Sequence, residues 1–145
     1  MSRKDKIRGS LIGGAIGDAL GYPVEFVSYS NIKSLFGENG ITRFVLNNNG
    51  VAEISDDTQM TLFTANGLLY GITRFCMRGI GSDLFNYVAI AYDEWLQTQM
   101  ELPLEDEWHT CWIRNISALN SRRAPGNTCL SALTALREQK AVSNN

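Results

Sequence analysis

Residues 54–78 read ISDDTQMTLFTANGLLYGITRFCMR, and this stretch decides the fold. A polar opening with two adjacent aspartates passes directly into an apolar run. Met60, Phe63 and Gly67 lie on one line of a helix, and other apolar residues fill the neighbouring stripe. A basic residue and then Gly79 close the pattern, as is typical of a helix end. The stretch predicts one long helix that begins at the acidic pair.

The polar opening itself admits two interpretations. Ser55, Asp56 and Asp57 offer several hard oxygens in one small region, and such oxygens suit Mg²⁺, Mn²⁺ or Ca²⁺. Ser, Asp and Thr are also the residues that cap helices, and the helix dipole favours acids in any first turn. The motif taken alone is compatible with a metal site or with an ordinary cap.

A first helix is predicted upstream, over residues 7–20. Its apolar residues fall at helical spacing, and Gly21 with Pro23 supplies the stop. Glycines inside this helix cost roughly 1 kcal/mol each relative to alanine. Three glycines lie in this helix, namely Gly13, Gly14 and Gly17. Because of their cost, we expect a compensating close packing against another helix or a ligand.

The rest of the chain continues the helical pattern. Residues 22–54 show no sustained periodicity and predict a long connection with short helices or turns. Ser82 or Asp83 can cap a third helix, whose predicted buried stripe is Phe85, Val88, Ala89, Tyr92, Trp95 and Leu96. A fourth helix is expected after Pro103, with Trp108, Cys111, Trp112, Ile116 and Leu119, and a shorter fifth one from near Asn127, with Leu130 and Leu133. No strand pattern is convincing, so the sequence predicts an all-α domain.

Composition excludes several classes of protein. With 145 residues, 44% hydrophobic and 19% charged, and a net charge of −2, the chain is typical of one globular domain and names no nucleic-acid partner. The three cysteines lack a C-x-x-C pair, which favours reduced thiols. The apolar run near the N-terminus is interrupted by glycines and Asp18, so neither a membrane span nor a signal peptide is predicted. We expect a cytoplasmic protein.

Two familiar catalytic arrangements are disfavoured. The sole histidine, His109, has no second histidine or cysteine at ligand spacing, so a structural or surface role is expected. The glycines of residues 13–17 follow no strand and precede no Gly-Lys-Ser/Thr, which argues against a nucleotide-binding P-loop.

Several segments carry a resemblance to a known family. Residues 8–21 (RGSLIGGAIGDALG), 17–26 (GDALGYPVEF), 55–60 (SDDTQM) and 123–128 (RAPGNT) resemble the ADP-ribosylglycohydrolase family, which includes the dinitrogenase reductase-activating glycohydrolase. The likeness spans residues 8 to 145.

The resemblance implies an orthogonal multi-helix fold around two Mg²⁺ or Mn²⁺ ions. The expected activity is hydrolysis of the N- or O-glycosidic bond between ADP-ribose and a protein side chain or a small molecule. By position, Ser55, Asp56 and Asp57 match metal ligands of the family. Glu25 matches an acidic residue near the metals and the ribose, where a carboxylate can move a proton. Asp18 matches a supporting aspartate.

The sequence departs from the family pattern at one point. The second metal motif, D-x-D-S/T, has no counterpart, because no aspartate follows Asp106. Since family chains are about twice this long, residues 1–145 are expected to form a single domain that is the truncated N-terminal part of the fold. Weak metal binding, impaired hydrolysis and self-association through exposed apolar faces are expected. The alternatives are a non-catalytic helical binding module and a Mg²⁺-dependent phosphoester hydrolase.

Overall fold

The structure, a computed structural model, describes residues 1–79, 83–100 and 109–143, and in the last helix it describes side chains up to residue 138. The chain divides into two compact units, Met1–Thr58 and Gln59–Asn145. Regular secondary structure in the described ranges is helical, so the predicted all-α class is confirmed. No helix in these ranges combines the length and the apolar character that a bilayer span requires.

The first unit begins with helix α1, Arg3–Gly21. It starts four residues earlier than predicted, because Ser2 and Asp5 form a reciprocal capping box. A short 3₁₀ helix, Tyr22–Val24, follows and includes the proline that prevents α1 from continuing.

The connection after α1 contains short elements, as predicted. Helix α2 spans Tyr29–Phe36, and the side chain of Ser28 caps it by accepting the Asn31 N–H. An isolated antiparallel bridge joins Leu46 to Ala52. This connection leads to the start of helix α3, Asp56–Arg78, whose bounds agree with the prediction.

The glycines of α1 do not fulfil the packing expectation. A Cβ atom added at Gly13, Gly14 or Gly17 would meet no atom of the described residues within 4 Å. The described residues therefore provide no helix packing at these glycines, and the alternative that they face a ligand stays a prediction. Glycine periodicity in a sequence cannot tell a packed helix face from an open one.

The second unit contains the main core. Helices α4, Leu84–Gln99, and α5, Asn127–Ser143, accompany the greater part of α3. Phe63, Ala91, Trp95 and Cys111 are buried together, and these partly buried residues pack against them: Met60, Tyr92, Ile113, Leu130 and Leu133. Helix α5 is longer than predicted, at 17 residues.

A polar pair lies inside this core. The indole Nε1 of Trp95 donates a hydrogen bond to Oε1 of Gln59 at 3.1 Å, and both side chains are fully buried. Gln59 in turn donates from Nε2 to the backbone carbonyl of Ser121 at 2.8 Å. Buried polar groups need such partners, and these bonds tie α3, α4 and the segment before α5 together.

The buried face of α4 differs in part from the predicted stripe. Trp95 and Leu96 are fully buried as predicted, but Phe85 is 81% exposed. Tyr87 and Ala91 are buried instead, because α4 approaches the backbone of α3 closely at Gly67. The face of α4 that meets α3 is set by this small residue on the partner helix.

The predicted fourth helix is wrong for residues 109–119, and residues 101–108 lie outside the described ranges. The segment holds two 3₁₀ helices, Trp112–Asn115 and Ser117–Leu119. Its path is set by buried Glu94, whose carboxylate accepts the N–H groups of Thr110 at 2.6 Å and Cys111 at 3.1 Å. His109 is exposed and not helical, as its expected surface role requires.

Candidate functional site

Asp18 of α1 holds the first turn of α3 in place within the first unit. Its Oδ2 atom accepts the backbone N–H of Ser55 at 2.9 Å and that of Thr58 at 3.2 Å. The hydroxyl of Thr58 also donates to this oxygen. Because the first N–H groups of a helix have no partner inside the helix, Asp18 satisfies donors that would otherwise be unpaired.

Ser55 adds a second, local cap. Its Oγ atom accepts the N–H of Asp57 at 3.1 Å, in the usual manner of a helix N-cap. The capping interpretation of the motif is therefore correct for Ser55. It does not exclude a second role, because a hydroxyl has two lone pairs and one proton.

A cavity of about 300 Å³ opens beside this turn. This volume lies at the lower end of the range for ligand pockets. The residues that line it all belong to the first unit: Gly17, Asp18, Gly21, Tyr22, Glu25, Ser55 and Asp57. The structure therefore brings four of the five predicted site residues to one cavity.

The two adjacent aspartates differ in their surroundings. Asp57 is exposed and lines the cavity, whereas Asp56 is only 8% exposed and is not among the lining residues. Successive side chains of a helix project about 100° apart, so two neighbours rarely face the same space. The pair thus divides into a cavity-facing carboxylate and a buried one.

Glu25 directly follows the 3₁₀ helix and is exposed. Its pKa is raised above the usual value, first by partial desolvation and then by repulsion from Asp56, Asp57 and Asp18. The repulsion means that these carboxylates are close enough to affect one another. A raised pKa moves Glu25 toward the range in which a carboxyl group exchanges protons efficiently near neutral pH.

The donor atoms suit a hard cation, although they are few. Within the described residues, no group of three or more His, Cys, Asp or Glu side chains is placed to hold a metal ion. Mg²⁺ commonly keeps several waters and takes only one or two carboxylates from a protein. The oxygens of Ser55 and Asp57 therefore fit one largely hydrated ion.

Sequence reasoning missed three contributors to the cavity wall and cap. Tyr22 and Gly21 line the cavity, and Thr58 binds Asp18. A signal was available, since residues 17, 18, 21, 22 and 25 follow the i, i+4, i+8 spacing of one helix face. Glycine at this face leaves the α1 backbone accessible from the cavity.

Comparison with known proteins identifies the family of this chain. A protein of Archaeoglobus fulgidus described as uncharacterized is 38% identical over 69 residues, which are 46% of this chain and 22% of that protein. No solved structure matches the chain. The profile of the ADP-ribosylglycohydrolase family matches residues 1–145, which is the whole chain. The chain therefore belongs to the ADP-ribosylglycohydrolase family.

Proposed function

We propose that the cavity beside α3 is a metal-dependent site for hydrolysis of the glycosidic bond between ADP-ribose and a protein side chain or a small molecule. The observation that carries the proposal is the meeting of Glu25, Ser55 and Asp57 at one cavity. Family membership supports the reaction type. The substrate would be an ADP-ribosylated protein or another compound that contains ADP-ribose.

Ser55 and Asp57 are the residues that would hold Mg²⁺ or Mn²⁺ from the cavity, and Asp56, which is buried, completes the predicted set of ligands. A bound divalent ion supplies Lewis-acid chemistry and orients hydroxyl groups of the substrate. The role of the chain is to present these oxygens in a fixed arrangement. The hydrogen bonds of Asp18 to Ser55 and Thr58 serve this purpose, because they fix the turn that carries the donors.

Glu25 is proposed to move the proton that hydrolysis requires. Cleavage at the ribose C1 passes through an oxocarbenium-like state, which nearby carboxylates stabilise. Glu25 and Asp57 line the same cavity, so both can act on one sugar ring. The raised pKa of Glu25 suits proton exchange with the reacting oxygens.

Metal binding and turnover are proposed to be weak in residues 1–145. The described residues offer no three-ligand group, and the sequence lacks the D-x-D-S/T motif. An ion that is held by few protein oxygens keeps more of its waters and binds less tightly. We infer that residues 1–145 form a single domain corresponding to the N-terminal part of the family fold.

The test combines binding with turnover. We expect Mn²⁺ binding, measured by electron paramagnetic resonance, and slow release of ADP-ribose from an ADP-ribosylated protein in the presence of Mg²⁺ or Mn²⁺. An Asp56→Ala, Asp57→Ala double variant should lose both. Asp93→Ala is the matched control, since Asp93 lies on α4 and pairs with Arg137. Equal release by the wild-type chain and the double variant would refute the activity.

A second candidate function is a non-catalytic module that binds ADP-ribose. The lack of a three-ligand metal group in the described ranges favours it. Calorimetric titration with ADP-ribose, with and without Mg²⁺, separates the two functions. Binding that ignores Mg²⁺, together with no turnover, would support the module.

Location and assembly follow as smaller proposals. Cys76, Cys111 and Cys129 are all free thiols, which supports a reducing compartment and hence a cytoplasmic location. Several large apolar side chains are more than half exposed, including Phe26, Phe75 and Phe85. We therefore also propose that the chain self-associates through apolar surface.

A further inference from the structure

A second pocket, of about 210 Å³, lies in the second unit along the C-terminal half of α3. We call it the arginine pocket, and its lining residues are Tyr70, Thr73, Arg74, Met77 and Arg78. None of them lines the cavity assigned above. The pocket combines two guanidinium groups with two hydroxyl groups.

The arginine pocket carries two positive charges. Arg74 and Arg78 are four residues apart on one helix, so they lie on the same face and repel each other. Neither forms an ion pair with a carboxylate of the described residues. The negative end of the α3 dipole offsets part of this repulsion, as it does for basic residues in any last helical turn.

The helix dipole does not explain the hydrogen bonding of the Arg74 guanidinium. One terminal nitrogen, NH1, donates to the hydroxyl of Tyr70 at 3.1 Å. Its Nε atom is buried and has no hydrogen-bond partner among the described residues. Leaving a buried donor unpaired costs free energy, so a residue placed only for the dipole would extend into solvent.

Packing against α4 also holds the side chain of Tyr70 in place beside Arg74. The ring of Tyr70 packs edge-on against the ring of Tyr87 on α4, with centroids 5.7 Å apart and an interplanar angle of 71°. Tyr70 thereby fixes one side of the Arg74 guanidinium. A guanidinium that is oriented in advance loses less entropy when it binds an anion.

We propose that the arginine pocket binds a phosphate group. The terminal nitrogens of the Arg74 guanidinium can donate charge-assisted hydrogen bonds to phosphate oxygens. Arg78 supplies a second positive charge, and the Thr73 hydroxyl supplies a further donor. Inorganic phosphate and a phosphate group of a nucleotide share this chemistry.

The test uses the stabilisation that any ligand of the native state provides. The midpoint of thermal unfolding is measured against phosphate concentration, with sodium chloride at matched ionic strength as the reference. Phosphate should raise the midpoint of the wild-type chain above the chloride value. Arg78→Gln should weaken the apparent phosphate affinity about tenfold, and Arg74→Gln should remove the effect. Arg43→Gln, an exposed change in the first unit, should behave as wild type.

Two further arms identify the source of the phosphate group. Titrations with pyrophosphate and with ADP are compared with inorganic phosphate; tighter binding of ADP supports a nucleotide, and equal binding supports the free anion. Arg78 is exposed, so its variant should fold even if Arg74→Gln does not. Equal midpoints in phosphate and chloride, or a full phosphate effect in Arg78→Gln, would overturn the proposal.

Discussion

Asp18 has the most consequential set of contacts for a single residue in the first unit. One carboxylate oxygen accepts hydrogen bonds from Ser55 and from both donors of Thr58. Its charge also lies at the N-terminal end of α3, where the helix dipole favours an anion. The residue therefore stabilises the turn that carries the proposed metal donors.

Asp18→Asn should lower the free energy of unfolding by about 1–2 kcal/mol, because a charge-assisted cap is replaced by a neutral one. Chemical unfolding monitored by circular dichroism measures the change. Asp57→Asn is the matched control and should change stability by less than about 0.5 kcal/mol, since Asp57 is exposed. An unchanged stability of Asp18→Asn would contradict the capping role.

The Cys111 thiol has a strongly shifted pKa. Burial is the main cause and the nearby Glu94 carboxylate the second, and together they raise the pKa of the Cys111 thiol to about 12. Only the thiolate form reacts readily with electrophiles. At neutral pH the Cys111 thiol should therefore resist a maleimide reagent until the chain unfolds, while exposed Cys76 should react in the native state.

The same pKa predicts how stability depends on alkaline pH. A thiol whose folded pKa exceeds its unfolded value releases a proton on unfolding at intermediate pH. The contribution of Cys111 is thus complete below about pH 9 and is lost as pH rises toward about 12. Comparing wild type with Cys111→Ala by chemical unfolding at several pH values isolates this slope. Parallel pH profiles would show that the pKa is not raised.

At the scale of elements, two helices use glycine in opposite ways. In α1, Gly13 has no atom of the described residues near the place of a Cβ. In α3, a Cβ at Gly67 would lie 2.7 Å from the backbone oxygen of Tyr87 and 3.1 Å from Cβ of Ala91. The first glycine weakens a helix, and the second permits two helices to meet.

Alanine substitutions at these positions should have opposite signs. Gly13→Ala should raise the free energy of unfolding by up to about 1 kcal/mol, because it improves helix propensity without a clash. Gly67→Ala should lower it by about 1–3 kcal/mol, because the backbone of α4 must move. Chemical unfolding of the two variants tests both values. A stabilising Gly67→Ala would refute the close approach of α3 and α4.

The positions of helices were predictable from sequence where capping residues and helix-ending residues define them. Helix α3 begins and ends as its acidic opening and closing glycine indicate. The buried face of α4 was not predictable, because it depends on where Gly67 of the other helix lies. The segment after residue 108 was not predicted either, since its path depends on the carboxylate of Glu94 on α4, which accepts hydrogen bonds from its N–H groups.

At the scale of the whole molecule, the described residues expose several large apolar side chains. Phe85 is 81% exposed at the start of α4, and Phe75 is 59% exposed on α3. Surface of this kind favours association when it is contiguous. Self-association can therefore be measured on the wild-type chain.

Sedimentation velocity should show a weight-average mass that rises with protein concentration. Phe85→Glu should reduce this rise, because it removes apolar area and adds charge at one exposed site. Asn86→Glu is the matched control: it adds the same charge to the neighbouring exposed position and removes no apolar side chain. A single monomeric species at all concentrations would refute self-association, and equal behaviour of the two variants would remove Phe85 from the interface.

The candidate site was predictable in its composition. Glu25, Ser55 and Asp57 were identified from motif and family resemblance, and the structure places all three at one cavity. The role of Asp18 was expected only as support, and the structure shows its hydrogen bonds to α3. The contribution of Tyr22 was missed, although its spacing of four residues from Asp18 is a signal in the sequence.

The sequence by itself determined the helical class and the starting residue of α3, because helix periodicity and capping chemistry are local properties of the chain. Only the tertiary structure decided which carboxylate of the Asp56–Asp57 pair faces the cavity. Neighbouring residues on a helix point in different directions, so the choice depends on what packs against that turn. Here Asp18, 37 residues before Ser55, binds the turn; Asp57 lines the cavity, and Asp56 is buried.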